Sequence, residues 1–124
     1  WQAEATYAAA LVASGAPEEE WRPILASERG ERQFYTSGFT SAAAQRSNNQ
    51  ELLAEIFAYQ TERNPGNAQN WLNLAITQYE LGRASSAIST LEAAKSAAPS
   101  LEAAADCVIE NIRQGNPAGE GCSA

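Results

Sequence analysis

The feature that most constrains this chain is a spacing. Turn-forming residues recur at Gly15, Asn48-Asn49, Gly82 and Gly115, at intervals of 33 or 34 residues. A second set of breakers, Asn64-Pro65-Gly66 and Pro99, is also 34 residues apart. Evenly spaced breakers mark a tandem structural unit that buries its apolar face only against its neighbours. Helical stretches of about 14 residues lie between the marks.

The segment from Asn67 to Pro99 is the clearest unit. Trp71, Leu74, Ala75 and Leu81 repeat at helical spacing, with Tyr79 near the same stripe. Asn67 suits the N-cap of this helix, and Gly82 supplies a left-handed residue to end it. Ala84, Ala87, Ile88, Leu91 and Ala94 then form the stripe of a second helix, stopped at Pro99. Two amphipathic helices joined by so short a turn lie antiparallel.

The flanking segments repeat the pattern less clearly. Leu52, Leu53, Ile56 and Phe57 form a good stripe. The expected partner helix, residues 34–46, is poor in large apolar residues and contains Gly38, which predicts a short or irregular element. Residues 29–40 read equally as an extended loop. Further back, Tyr7, Ala8, Gly15 and Ile24 align with Leu74, Ala75, Gly82 and Leu91, and Pro23 should kink or restart the helix near Arg22. A four-helix bundle is the alternative for this N-terminal half. After Pro99, the stripe Leu101, Ala104, Ala105, Val108, Ile109 and Ile112 predicts a closing helix that ends at Gly115. Residues 116–124, rich in Gly, Pro and small polar residues, read as a flexible coil tail.

The segment 67–100 resembles the tetratricopeptide repeat. The family's slots are filled by Trp71, Leu74, Ala75, Ala87, Leu91, Ala94 and Pro99. The aromatic slot departs from the pattern, holding Gln78 with Tyr79 beside it. The resemblance implies an all-α, right-handed solenoid of about three helical hairpins plus a C-terminal capping helix. The expected organisation is a single domain over 1–115, with a weak repeat at 1–33, a divergent repeat at 34–67, a clear repeat at 68–101 and a capping helix at 101–114, then a tail at 116–124. In such repeats Trp71 and Leu74 fill the space between paired helices. Ala75 and Ala87 are small where the helices cross, and Ala94 is small where the next repeat packs.

The resemblance also implies a concave face lined by the first helix of each hairpin. Carried over, the groove positions are Gln69, Leu72, Asn73, Ile76, Tyr79 and Glu80 in the clear repeat. In the divergent repeat they are Tyr35, Gly38, Phe39, Ala42 and Arg46. For Tyr35 and Phe39, groove and core remain equal readings, and Leu72 and Ile76 read equally as packing residues. Asn73 holds the slot where many members bond a ligand backbone. The basic residues that chaperone-tail binders need are lacking except for Arg46, so no carboxylate clamp is expected.

Composition narrows the function. The chain has 124 residues, 44% hydrophobic and 19% charged, which is ordinary for a folded domain. Its net charge of −7, with eight scattered basic residues, disfavours nucleic acid and anionic membranes. No apolar run approaches the ~20 residues of a bilayer span. There is no histidine, which removes histidine-based nucleophilic triads and imidazole metal sites. The run Glu18-Glu19-Glu20 follows Pro17 and fits the first turn of a helix, where the helix dipole stabilises acids. No catalytic residue, cofactor or metal is therefore expected.

Cys107 and Cys122 leave two readings open: a disulfide, or one buried and one exposed thiol. A bond would stabilise by about 3 kcal/mol in the chain-entropy model and imply an oxidising compartment. The chain begins at Trp1 and lacks methionine, so its true start and any targeting peptide are expected to lie outside the sequence shown. The leading reading is a non-enzymatic scaffold or adaptor that binds another protein or peptide. The second is a permanent accessory subunit on the lumenal or periplasmic face of a membrane-associated assembly, such as a photosynthetic or secretion complex. An exported setting is favoured over the cytoplasm.

Overall fold

The computed structural model describes residues 2–122; Trp1, Ser123 and Ala124, and with them the end of the expected tail, lie outside the described residues. The structure is 78% helical, with eight α-helices and no strand among the described residues. These are α1 Gln2–Ala13, α2 Glu18–Trp21, α3 Glu28–Thr36, α4 Gly38–Arg46, α5 Gln50–Arg63, α6 Ala68–Glu80, α7 Ala84–Ala97 and α8 Glu102–Gln114. Short 3-10 turns occupy Arg22–Ile24 and Pro99–Leu101. The chain forms two compact units, the first ending at Ile56 and the second beginning at Phe57.

The spacing seen in the sequence is a repeated way of ending a helix. Gly15, Asn48, Gly82 and Gly115 adopt left-handed φ values of 84°, 56°, 80° and 74°. After each, the next amide donates to the carbonyl five residues back: Ala16 to Leu11 at 3.0 Å, Asn49 to Ala44 at 2.8 Å, Arg83 to Gln78 at 2.9 Å and Asn116 to Asn111 at 2.9 Å. This satisfies carbonyls that the helix end leaves unpaired. Glycine meets no Cβ penalty there, and asparagine is among the few other residues that visit this region routinely. Helix starts are capped as locally. The Asn67 side chain accepts from the amides of Gln69 and Asn70, and Asn49 from Leu52.

In the second unit α6 packs on α7, and α7 packs on α8. Ala75, Ala87, Leu91 and Ala94 are all fully buried, joined in one core by Val108, Ile109 and Ile112 of α8. Alanines hold the slots where a larger side chain would force the helices apart. Trp71 is partly buried against this core, and its indole Nε1 donates to the Pro65 carbonyl at 2.7 Å. Gln78, the departure from the family pattern, accepts a 2.7 Å hydrogen bond from the Thr90 hydroxyl and so ties α6 to α7. Lys95 bonds Asp106 at 2.7 Å across α7 and α8, and that bond holds the ammonium's pKa above its ordinary value.

In the first unit α1 packs against α2, α3 and α4 through Ala5, Ala8, Ala9 and Val12. Trp21 stacks on Phe34 with ring centroids 5.1 Å apart, and Tyr35 meets Phe34 edge-on. Arg22 lies over the Trp21 ring, donates to Glu18 at 2.8 Å and Glu55 at 2.9 Å, and reaches the Tyr35 hydroxyl at 3.3 Å. Burial, reinforced by the Glu55 charge, raises the Tyr35 hydroxyl's pKa.

Three sequence expectations for this unit need correction. The helix expected over 34–46 is two helices, because Ser37 is extended and its hydroxyl accepts from the Phe39 amide at 3.1 Å, starting α4 afresh. Residues 29–40 are accordingly mostly helical, not an extended loop, and Ser27 caps α3. The second arm of the first hairpin shrinks to the four residues of α2 and a 3-10 turn containing Pro23. Proline has no amide to continue the ladder. The count is thus eight helices among the described residues, one more than three hairpins and a cap provide.

Two predictions arise here. The Thr40 side chain is 1% exposed, and its hydroxyl has no hydrogen-bond partner. An unsatisfied buried hydroxyl costs about 1–3 kcal/mol. Thr40→Val should therefore stabilise the chain by about 1 kcal/mol, read as a raised denaturant midpoint at unchanged slope. The second concerns acid. The Glu4 carboxylate accepts from the Ser27 hydroxyl at 3.0 Å and the Ser27 amide at 3.2 Å, which lowers its pKa. Arg22 does the same for Glu18. Groups depressed in the folded state contribute stability that is present above the ordinary value of 4.5 and lost as pH falls through the folded one. Thermal melts between about pH 3 and pH 7 should show this loss on the acid side. In Glu4→Gln the slope of melting temperature against pH should be shallower there.

Candidate protein-binding groove

One face of α6 presents Gln69, Leu72, Asn73, Ile76 and Tyr79, residues three or four apart that share a helix surface. Opposite stand Ala104 and Val108 of α8. Between them lies a cleft of about 170 Å³ lined by Gln69, Leu72, Ile76, Ala104, Val108, Gly119 and Cys122. Its walls are mainly apolar, with an amide at one end. Gln69 Nε2 donates to Asn73 Oδ1 at 2.9 Å, which fixes both side chains along the rim. Leu72 and Ile76 are only partly buried, so they hold the cleft wall and still present surface.

The other sequence-derived positions fall differently. Tyr79 is half-buried and its hydroxyl donates to the Asn116 carbonyl at 2.9 Å. Glu80 is exposed. Phe39, 54% exposed, and Arg46 lie on α4 in the first unit. There Phe39 borders a 140 Å³ cleft with Ala5, Ala9, Gln33 and Thr40. Tyr35 is 5% exposed and belongs to the aromatic core, so its assignment to the groove is corrected. It sits on α3, one helix earlier than expected, where its ring faces Phe34 and not the surface.

Cys107 and Cys122 form a disulfide, with Cα atoms 5.8 Å apart. It draws the chain after α8 back over that helix. Asn111 Nδ2 donates to the carbonyls of Ala118 at 2.9 Å and Glu120 at 2.8 Å. The sequence did not single out Asn111. Its only signal was a position four residues before the terminal Gly115, and spacing cannot tell which carbonyls an amide will meet.

Among the described residues no group of acidic or cysteine side chains is arranged to hold a metal ion, and no helix is long and apolar enough to cross a membrane. Glu18, Glu19 and Glu20 form the first turn of α2, with Glu18 paired to Arg22. Helices packed in sequence around small residues, with an open cleft on one face, define an all-α helical-repeat fold. Residues 50–106 match the family model of the tetratricopeptide repeat, which supports the resemblance read from the sequence. No curated protein and no solved structure matches the chain significantly.

Proposed function

We propose that the chain is a non-catalytic scaffold or adaptor that holds a partner polypeptide on the α6–α8 face. A tetratricopeptide repeat suggests a protein–protein interaction role. The observation that carries the finer reading is the cleft, where Leu72, Ile76 and Val108 offer apolar surface beside the Gln69 and Asn73 amides. Apolar anchors with a polar rim are what an interface needs. The reading keeps the division into repeats at 1–33, 34–67 and 68–101 with a cap at 101–114.

The test is a paired substitution, Leu72→Glu with Ile76→Glu, in the intact chain. Binding of the co-purifying partner should weaken at least ~10-fold, equal to about 1.4 kcal/mol. Ser86→Glu on exposed α7 surface should leave it unchanged. Undiminished binding by a folded double variant would refute the groove.

The Cys107–Cys122 bond favours a second reading, an accessory subunit in an oxidising compartment. An adaptor purifies alone and binds reversibly. A subunit co-purifies in fixed stoichiometry and exposes apolar surface when stripped away.

A further inference from the structure

The same face of the second unit already carries a length of polypeptide. Three carbonyls of alternate residues in the C-terminal segment are received by side chains of the helices. Tyr79 of α6 binds that of Asn116 at 2.9 Å, and Asn111 of α8 binds those of Ala118 at 2.9 Å and Glu120 at 2.8 Å. Hydrogen bonds to carbonyls recognise the main chain without reference to side-chain identity. The segment is compact: the Glu120 amide donates to the Pro117 carbonyl, the Cys122 amide donates to the Gly119 carbonyl, and Gly121 has φ of 71°. Ala118 is pressed to 8% exposure, and Gly119 and Cys122 form one wall of the cleft whose other walls are Leu72, Ile76 and Val108.

Resting on the groove reading above, we infer that the α6–α8 face is a main-chain-binding site for a short, turn-forming, Gly- and Pro-rich segment, and that residues 116–122 are its resident occupant. The donors are built into the helices, so they serve any backbone that presents carbonyls in this register. The disulfide keeps the resident segment at high local concentration, on the order of millimolar for a short tether. An incoming segment therefore meets only the open part of the cleft, at Gln69, Leu72 and Ile76, while the tail is bonded. It gains Tyr79 and Asn111 when the tail leaves.

The experiment separates a site from a mere tether. In the full chain carrying Cys107→Ser and Cys122→Ser, amide hydrogen exchange of residues 118–122 is compared with that of a free peptide of the same sequence. The site predicts at least ~10-fold protection without the covalent bond. Adding Asn111→Ala and Tyr79→Phe should bring exchange to within about twofold of the peptide, with the amides of α7 unchanged. Tail exchange at the free-peptide rate in the serine chain, or protection that survives loss of both donors, overturns the inference. Should the fourfold variant unfold, the wild-type chain with and without a phosphine reductant gives the same reading. The Asn111 side-chain amide protons must stay slow to exchange after reduction, and fast exchange contradicts the site. No partner takes part, so this outcome is independent of the Leu72 and Ile76 test.

Discussion

Trp21→Ala lowers the stability of the chain by about 3–5 kcal/mol, the cost of emptying a large aromatic site in a core. Trp21 is 2% exposed and is stacked on Phe34. The Arg22 guanidinium also lies over the Trp21 ring, 4.9 Å from the ring centre. Truncation therefore opens a cavity beneath Phe34 and removes the cation–π contact that positions Arg22 for Glu18 and Glu55. Little can collapse into the space. The α1 helix that packs on α2 buries Ala5, Ala8, Ala9 and Val12, small side chains with little reach into such a space. Denaturant unfolding should show the loss. A shift below about 1 kcal/mol would mean that the aromatic stack is not the core of the first unit.

Leu91→Ala should cost about 2–5 kcal/mol. Leu91 is fully buried in α7, the helix that packs on both α6 and α8. It is the largest buried side chain of that helix, flanked by Ala87 and Ala94. The site is shared with Val108, Ile109 and Ile112 of α8, so truncation leaves a cavity where α7 meets that helix. Leu91→Met conserves volume and should cost less than about 1.5 kcal/mol. The pair of variants therefore separates lost volume from lost helix propensity, since leucine, methionine and alanine all favour helix.

How far the sequence could be read depended on what each residue needs from its surroundings. The helix ends were legible at Gly15, Asn48, Gly82 and Gly115 because a left-handed cap is a local demand that few residues meet. The α6–α7 hairpin was legible for the same reason at Asn67, with small and large residues alternating at helical spacing through Ala75, Ala87, Leu91 and Ala94. The first unit was less so. Its core pairs Trp21 with Phe34, thirteen positions apart across a break at Pro23, and no periodic pattern links them. Ser37 restarts a helix with a single hydroxyl, and serine elsewhere in this chain lies within α7, so residue type alone did not decide.

The groove was legible in part. Gln69, Leu72 and Ile76 line one cleft because they share a helix face, which spacing predicts. Tyr35 had two equal readings, groove and core, and lies buried on α3 against Phe34, which spacing alone did not decide. Tyr79 and Asn111 became visible only with the chain after Gly115 in place. Their partners are main-chain carbonyls of a segment with no regular structure, and sequence pattern is silent about such geometry.

The cleft between α6 and α8 exists because helices stop and reverse at a fixed interval along the chain. Backbone chemical shifts and amide–Hα couplings at residues 15, 48, 82 and 115 report this directly. Positive φ at all four, with helical values on the preceding side of each, is the expected result. Helical or extended values at Gly82 or Gly115 would join or unfold the helices that form the cleft, and would contradict the account.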